Sequence, residues 1–386
     1  MKLFFTQKQN FFLVLIGIVI VSSSLVYLLT TGNTLIHRPP TLQATSQGAS
    51  PTKQIVPTPT PHPFCKLSGR QLELGIANPR WQAIGYGEGD VQWLTETAAL
   101  RTQTSACWVE MPLLFHQASS SATQIVPSEL TPDLNAFIYG VRYAHQLGLH
   151  VFAVPQLQTG SQDSWAGSIQ FATEAEEQSW FQSYWAALKP YIQAAAHEGV
   201  EQIAIGTELE WLQENAPDQL WNTLIDNFRS VYTGSLTYDL NWTSLQAPIP
   251  DWMHNNQLNM IGVSAYISLT DTPQRIDPTQ ITMLWAQTVK VKLDSFAAQL
   301  GAPIFISEIG YRNSADALYH TWESQSNAPK DETEQAAAYS AAFTNIIDDE
   351  NILGVFVWGW DDTGSFNVQG LQAVTTIHHY YSSLHP

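Results

Sequence analysis

Two glutamates, one hundred positions apart, stand where chemistry could use them. Glu208 follows the run Gln202-Ile203-Ala204-Ile205-Gly206-Thr207, and Glu308 lies within Ile304-Phe305-Ile306-Ser307-Glu308-Ile309. Both runs are short, apolar and rich in β-branched residues, which reads as a buried strand. Each strand therefore delivers a carboxylate at its carboxyl end, the end that carries catalysis in barrels of alternating strands and helices. Two carboxyl groups facing each other there suit the cleavage of a glycosidic bond. One protonates the leaving oxygen while the other attacks the anomeric carbon. Singly, a glutamate after a strand is equally well a first-turn helix residue favoured by the helix dipole. The repeated grammar is what favours chemistry.

The elements that must position these carboxylates alternate along the chain. Strands are expected near 72–76, 107–112, 150–154, 202–206, 236–238, 260–263, from Ile304, and over 354–357. Between them, helices are expected from Asp90 to Arg101, from Thr131-Pro132 to Leu147-Gly148, and over 173–199 as one long helix or as a pair broken at Pro190. Further helices are expected over 217–232, 278–300, 331–348 and 371–384. Alternation of this kind predicts an α/β fold with a parallel sheet and outer helices, a (β/α)8 TIM barrel spanning 65–386. A sugar-cleaving pocket also needs aromatic faces against which the rings can lie. Trp242, Tyr266, Tyr311, Trp358 and Trp360 follow strands directly and are the candidates, with Asn241 beside them.

The amino-terminal part of the 386-residue chain reads differently. Residues 1–10 carry Lys2 and Lys8 and no acid, and an almost unbroken apolar segment follows over 11–29. That is about the 20 residues a spanning helix needs, and the basic flank keeps the amino terminus in the cytoplasm. A cleavable signal peptide is the competing reading, but the apolar run continues past Ser22-Ser23-Ser24, so an uncleaved anchor is expected. Residues 30–63 are rich in Thr, Pro, Gln and Ser, a semi-rigid linker too polar to fold. The catalytic part is thus expected outside the cell, tethered to its membrane, or secreted if the signal is cleaved.

Charge narrows the partners. All 34 acidic residues but only 12 of the 16 basic ones follow Phe64. Nucleic acid and anionic membrane surfaces need clustered Lys and Arg, so both are excluded as partners of this part. An uncharged polysaccharide or oligosaccharide fits, and a monomeric catalytic domain is expected. Cys65 and Cys107 are the only cysteines, too few for a cysteine-rich metal site. An oxidising compartment permits a disulfide between them, with free thiols as the alternative.

Other constellations are weaker. His378-His379 lacks metal-ligand spacing, and His197-Glu198 lacks the second histidine of a zinc-protease helix. Asp361-Asp362 and Asp348-Asp349-Glu350 read as solvated turns, and Glu110 as a third carboxylate near the pocket or a structural residue. Neither metal nor organic cofactor is needed for the chemistry proposed.

Four segments together resemble glycoside hydrolase family 113. They are Gly206-Thr207-Glu208-Leu209, Gly262-Val263-Ser264-Ala265-Tyr266, Ser307-Glu308-Ile309-Gly310-Tyr311-Arg312, and Gly354-Val355-Phe356-Val357-Trp358-Gly359-Trp360. The resemblance implies a retaining, chiefly endo-β-1,4-mannanase-like enzyme on a (β/α)8 barrel, with Glu208 as acid/base and Glu308 as nucleophile. Thr207 stands where most of the wider clan has Asn, and Val154-Pro155-Gln156-Leu157 where a more polar segment is expected. A non-catalytic barrel that binds cell-wall carbohydrate is the rival reading.

Overall fold

The structure, a computed structural model, describes residues 65–66, 71–160, 165–360 and 364–382. The expected anchor and linker lie outside these residues, as does Asp361-Asp362. Among the described residues no helix is long and apolar enough to cross a membrane.

In chain order the strands are β1 (Cys65–Lys66), β2 (Gln71–Ala77), β3 (Trp108–Gln117), β4 (Ile125–Val126), β5 (His150–Thr159) and β6 (Gln202–Thr207). After them come β7 (Ser235–Asn241), β8 (Met260–Ser264), β9 (Ile304–Ile309) and β10 (Ile352–Val357). The α-helices are α1 (Val91–Thr104), α2 (Leu134–Gln146), α3 (Glu174–Glu198), α4 (Glu210–Asn215) and α5 (Asp218–Arg229). The rest are α6 (Pro278–Trp285), α7 (Val291–Leu300), α8 (Glu332–Ile346) and α9 (Gln372–Ser382). β2, β3 and β5 to β10 pair in parallel in chain order, and β10 pairs back onto β2, closing an eight-stranded barrel. The expected barrel is present. Two short strands are additions: β1 runs antiparallel to β2, and β4 antiparallel to β3.

Local chemistry explains most boundaries. Asp90 caps α1 by accepting from the Trp93 N–H at 3.0 Å. Thr173 and Glu176 form a reciprocal capping box at the start of α3, and Gly199 ends that helix in the left-handed conformation. Of the two alternatives for this segment, one long helix is present, with Pro190 inside it. The helix expected from Thr131 begins instead at Leu134, because the Thr131 hydroxyl donates to the Leu114 carbonyl and accepts from the Ser128 N–H. The segment expected as one helix over 278–300 is α6 and α7 joined through a π-turn at 286–290. Short α4, directly after Glu208, was not anticipated.

The strands that looked short are longer. β7 runs seven residues to Asn241, and β5 continues ten residues through Pro155 to Thr159, paired with β3 along its length. Inside the barrel Phe152, Phe305 and Phe356 pack with ring centroids 5.1–6.1 Å apart. Phe356 needs the glycine opposite: a Cβ on Gly75 would lie 2.2 Å from its ring. This apolar plug makes the barrel a packed scaffold that holds strand ends rigidly. Cys107, just ahead of β3, is disulfide-bonded, and Cys65 is the one other cysteine of the chain.

Candidate active site

At the carboxyl ends of the strands lies a cavity of about 880 Å³, within the size range of small-ligand sites. Glu208 and Glu308 both line it, with Thr207, Asn241, Trp242, Tyr266 and Trp358. The residues singled out in the sequence are thus brought together, with two exceptions. Tyr311 turns away: its hydroxyl accepts from the Trp285 indole at 2.8 Å, and its ring packs on Tyr339. Trp360 is fully buried and also does not reach the cavity. Both residues lie beyond the ends of β9 and β10, where the regular alternation along a strand no longer governs which way a side chain points.

Glu308 is the second-last residue of β9 and only 7% exposed. Its Oε2 accepts from the Tyr266 hydroxyl at 2.8 Å, and its Oε1 from the Gln156 amide at 3.4 Å. Burial, followed by the charge of Glu208, pushes the Glu308 carboxyl up to about 8, against these two donors. Tyr266 itself is held neutral, its pKa raised by burial and then by the Glu308 charge.

Glu208 follows β6 and is half-buried. Its φ of 53° is left-handed, a conformation that costs a non-glycine residue about 1–3 kcal/mol and that the surroundings must enforce. The Glu208 N–H donates to the Asp239 carbonyl at 2.8 Å, which fixes the turn. Its Oε1 accepts from Asn241 Nδ2 at 2.8 Å, and its Oε2 from the Trp165 indole at 2.9 Å. Asn241 is oriented for this, because its Oδ1 accepts from the N–H and the hydroxyl of Thr243 at 3.0 and 2.7 Å. Burial raises the Glu208 pKa, and the Trp165 and Asn241 donors oppose the rise.

The two carboxyls therefore titrate as a pair, and their mutual repulsion favours a state with one proton between them. Beneath them Glu110 on β3 and Asp239 on β7 are almost fully buried, and both are pushed well above the usual carboxylate range, first by burial. The charge of Glu308 contributes to both shifts. Among the described residues neither carboxyl oxygen of Glu110 has a hydrogen-bond partner, which favours the protonated form. Glu110 does not line the cavity. Glu210, the first residue of α4, competes with Asn241 Oδ1 for the single proton of the Thr243 hydroxyl.

Aromatic walls complete the cavity. Trp165, Trp322 and Phe366 line it and were not identified from the sequence; nor was Gln156. Trp322 stacks on Trp242 with centroids 5.4 Å apart, and on its other neighbour His320 at 4.6 Å. Trp165 and Trp322 are each more than two-fifths exposed, large apolar surfaces at the rim. Their signal in the sequence was weak, since both lie in loops far from any strand end. Gln156 sits within β5, in the segment that departed from the family pattern. Among the described residues no cluster of His, Cys, Asp and Glu could hold a metal ion.

Comparison with known proteins adds to this geometry. The model of Glycoside Hydrolase Family 113 matches residues 88–374. No curated protein matches the chain. Among solved structures, a GH113 β-1,4-mannanase is similar with a TM-score of 0.69 and 21% identity, covering 81% of this chain and 99% of that one. The GH113 β-mannanase AaManA from Alicyclobacillus acidocaldarius, in complex with ManMIm, scores 0.66 at 20% identity, covering 81% and 98%. A GH2 β-galacturonidase from Eisenbergiella tayi, bound to galacturonate, scores 0.52 at 12% identity, covering 83% of this chain and 53% of that one. At these identities the structural likeness speaks to the barrel.

Proposed function

This chain belongs to Glycoside Hydrolase Family 113, and from that premise we propose that it is a retaining endo-β-1,4-mannanase with Glu308 as nucleophile and Glu208 as acid/base. The observation that carries the reading is the pair itself, two carboxyls from different strands of the barrel lining one cavity, both with raised proton affinity and the charge of Glu208 contributing to the rise at Glu308.

Burial and hydrogen bonding support the division of labour. Glu308 is the more enclosed, and Tyr266 and Gln156 donate to its carboxylate. These two donors favour the charged form that attacks the anomeric carbon, against the burial that favours the protonated one. Glu208 is the less buried of the two, so a leaving oxygen and then a water can reach it. In the first step a Glu308 oxygen bonds to the anomeric carbon as the glycosidic C–O bond breaks, and the proton of Glu208 passes to the departing oxygen. In the second, Glu208 takes a proton from water, whose oxygen displaces Glu308. Trp165, Trp242, Trp322 and Trp358 supply the apolar faces on which sugar rings rest.

The reading also takes residues 11–29 as a membrane anchor and 30–63 as a stalk that holds the enzyme outside the cell. The test of activity is a panel of β-mannan, β-glucan and xylan offered to the full chain. Mid-chain cleavage of β-mannan is expected. Cleavage of another polymer with mannan untouched would overturn the substrate assignment.

A further inference from the structure

The two oxygens of Glu208 are not held alike. Oε1 faces Asn241 Nδ2 at 2.8 Å, on an amide whose other end is fixed by the Thr243 N–H at 3.0 Å. Asn241 ends β7 and is only 9% exposed. Oε2 faces the Trp165 indole N–H at 2.9 Å. Trp165 stands on the loop after β5 and is 43% exposed. The first donor is built into the barrel, and the second stands on its rim.

The indole is placed by its own loop. It lies over Gly167, where a Cβ would come within 2.3 Å of the Trp165 ring. The Ser168 hydroxyl donates to the Trp165 carbonyl at 2.7 Å. The Gln170 N–H donates to the Ser120 carbonyl at 3.0 Å, which ties this loop to the one after β3.

An indole N–H is a donor only. Its bond to Oε2 strengthens as that oxygen becomes charged and weakens when the oxygen carries a proton. The ionisable groups that bear on Glu208 are all acids: Glu210 on α4, Tyr238 and Asp239 on β7, Tyr266 after β8 and Glu308 on β9. Among the described residues no Lys, Arg or His pairs with Glu208. Support for its charge therefore falls to neutral donors.

We propose that Trp165 is a positioning residue for the acid/base, a releasable donor that makes Oε2 the oxygen through which the proton passes. The inference rests on the glycosidase reading above and deepens it. In the first step the proton leaves Oε2 for the departing glycosidic oxygen as the C–O bond breaks, and the Trp165 N–H tightens on the charge left behind. In the second, a water proton returns to Oε2 as the water oxygen displaces Glu308, and the bond from Trp165 slackens. Asn241 keeps Oε1 in place throughout. A donor that binds more strongly as charge develops than in the protonated ground state speeds the first step.

The test uses the full chain and a series of aryl β-mannobiosides whose phenols leave with increasing ease. Trp165→Phe keeps an aromatic ring and loses the N–H. Glu208 then holds its proton more tightly, so with the poorest leaving group the alkaline limb of kcat/KM moves up by about one pH unit. As a weaker acid it lags most on that substrate, by about three- to tenfold, and the deficit shrinks as the phenol becomes more acidic. Gly167→Ala keeps the indole but crowds its ring, moves the limb the same way, and carries the test should Trp165→Phe not fold. A limb that stays in place, or a loss of equal size for every leaving group, would overturn the inference and leave the glycosidase reading standing. A wild type that cleaves none of the series overturns the mannanase reading and this inference with it.

Discussion

Tyr266→Phe removes one oxygen from the site and isolates the support that Glu308 receives. The hydroxyl donates to Glu308 Oε2 at 2.8 Å, and the ring stays packed against Phe366. A hydrogen bond to a charged group contributes about 1.5–3 kcal/mol. Since one pH unit corresponds to about 1.36 kcal/mol, its loss raises the pH at which Glu308 ionises by roughly 1–2 units. The sign follows from the role. Glu308 attacks as a carboxylate, so a weaker carboxylate moves the acid limb of the kcat/KM profile toward alkaline pH. Below that limb the variant turns over about 10- to 100-fold more slowly, the same free energy expressed as a rate. The assay is the pH dependence of kcat/KM on an aryl β-mannoside for wild type and variant. A uniform loss across all pH values with the limb unmoved would refute the claim that Tyr266 acts through the ionisation of Glu308.

Three further outcomes are expected. Glu208→Gln cuts turnover of β-mannan by about 100-fold or more, but far less with an aryl leaving group that departs without a proton, as comparison of the two substrates will show. Glu308→Gln is inactive yet more stable than wild type above neutrality. The Glu308 carboxyl, raised to about 8 in the folded chain, binds a proton there that the unfolded chain has already released, so its presence lowers stability as pH rises from about 4.5 toward 8. Thermal melts should therefore differ little near pH 4 and diverge by pH 8. Gly310→Ala places a Cβ 2.9 Å from the Trp358 carbonyl oxygen and 3.0 Å from the Tyr266 ring, costing about 1–3 kcal/mol and most of the activity, by denaturant titration and rate assay.

Much of the barrel was legible because strand interiors and helix caps write themselves locally. The runs around Ile203 and Phe305, the Asp90 cap and the Gly199 terminator each depend on residues close in sequence. Glu208 and Glu308 were legible for the same reason, each standing at a strand end. The neighbours that tune them were not. Trp165, Trp322 and Phe366 reach the cavity from loops, and the course of the last two depends on ties far apart in sequence such as that of Ser365 to Ser324. Asn241 was recognised, but its task depends on Thr243 turning the amide toward a carboxylate 33 residues earlier. Tyr311 and Trp360 went the other way, since alternation along irregular backbone after a strand does not announce which face continues the cavity. Glu110 was ambiguous in the sequence, and only its burial without partners among the described residues marks it as an acid whose proton is favoured.

The account turns on Glu308 forming a covalent bond to sugar. Incubating the full chain with a 2-deoxy-2-fluoro-β-mannosyl fluoride, which slows release of the intermediate, and mapping the adduct by mass spectrometry reads this directly. A single glycosyl adduct on the peptide that contains Glu308 is predicted. An adduct on the Glu208 peptide, or no adduct together with products of inverted anomeric configuration, would contradict it.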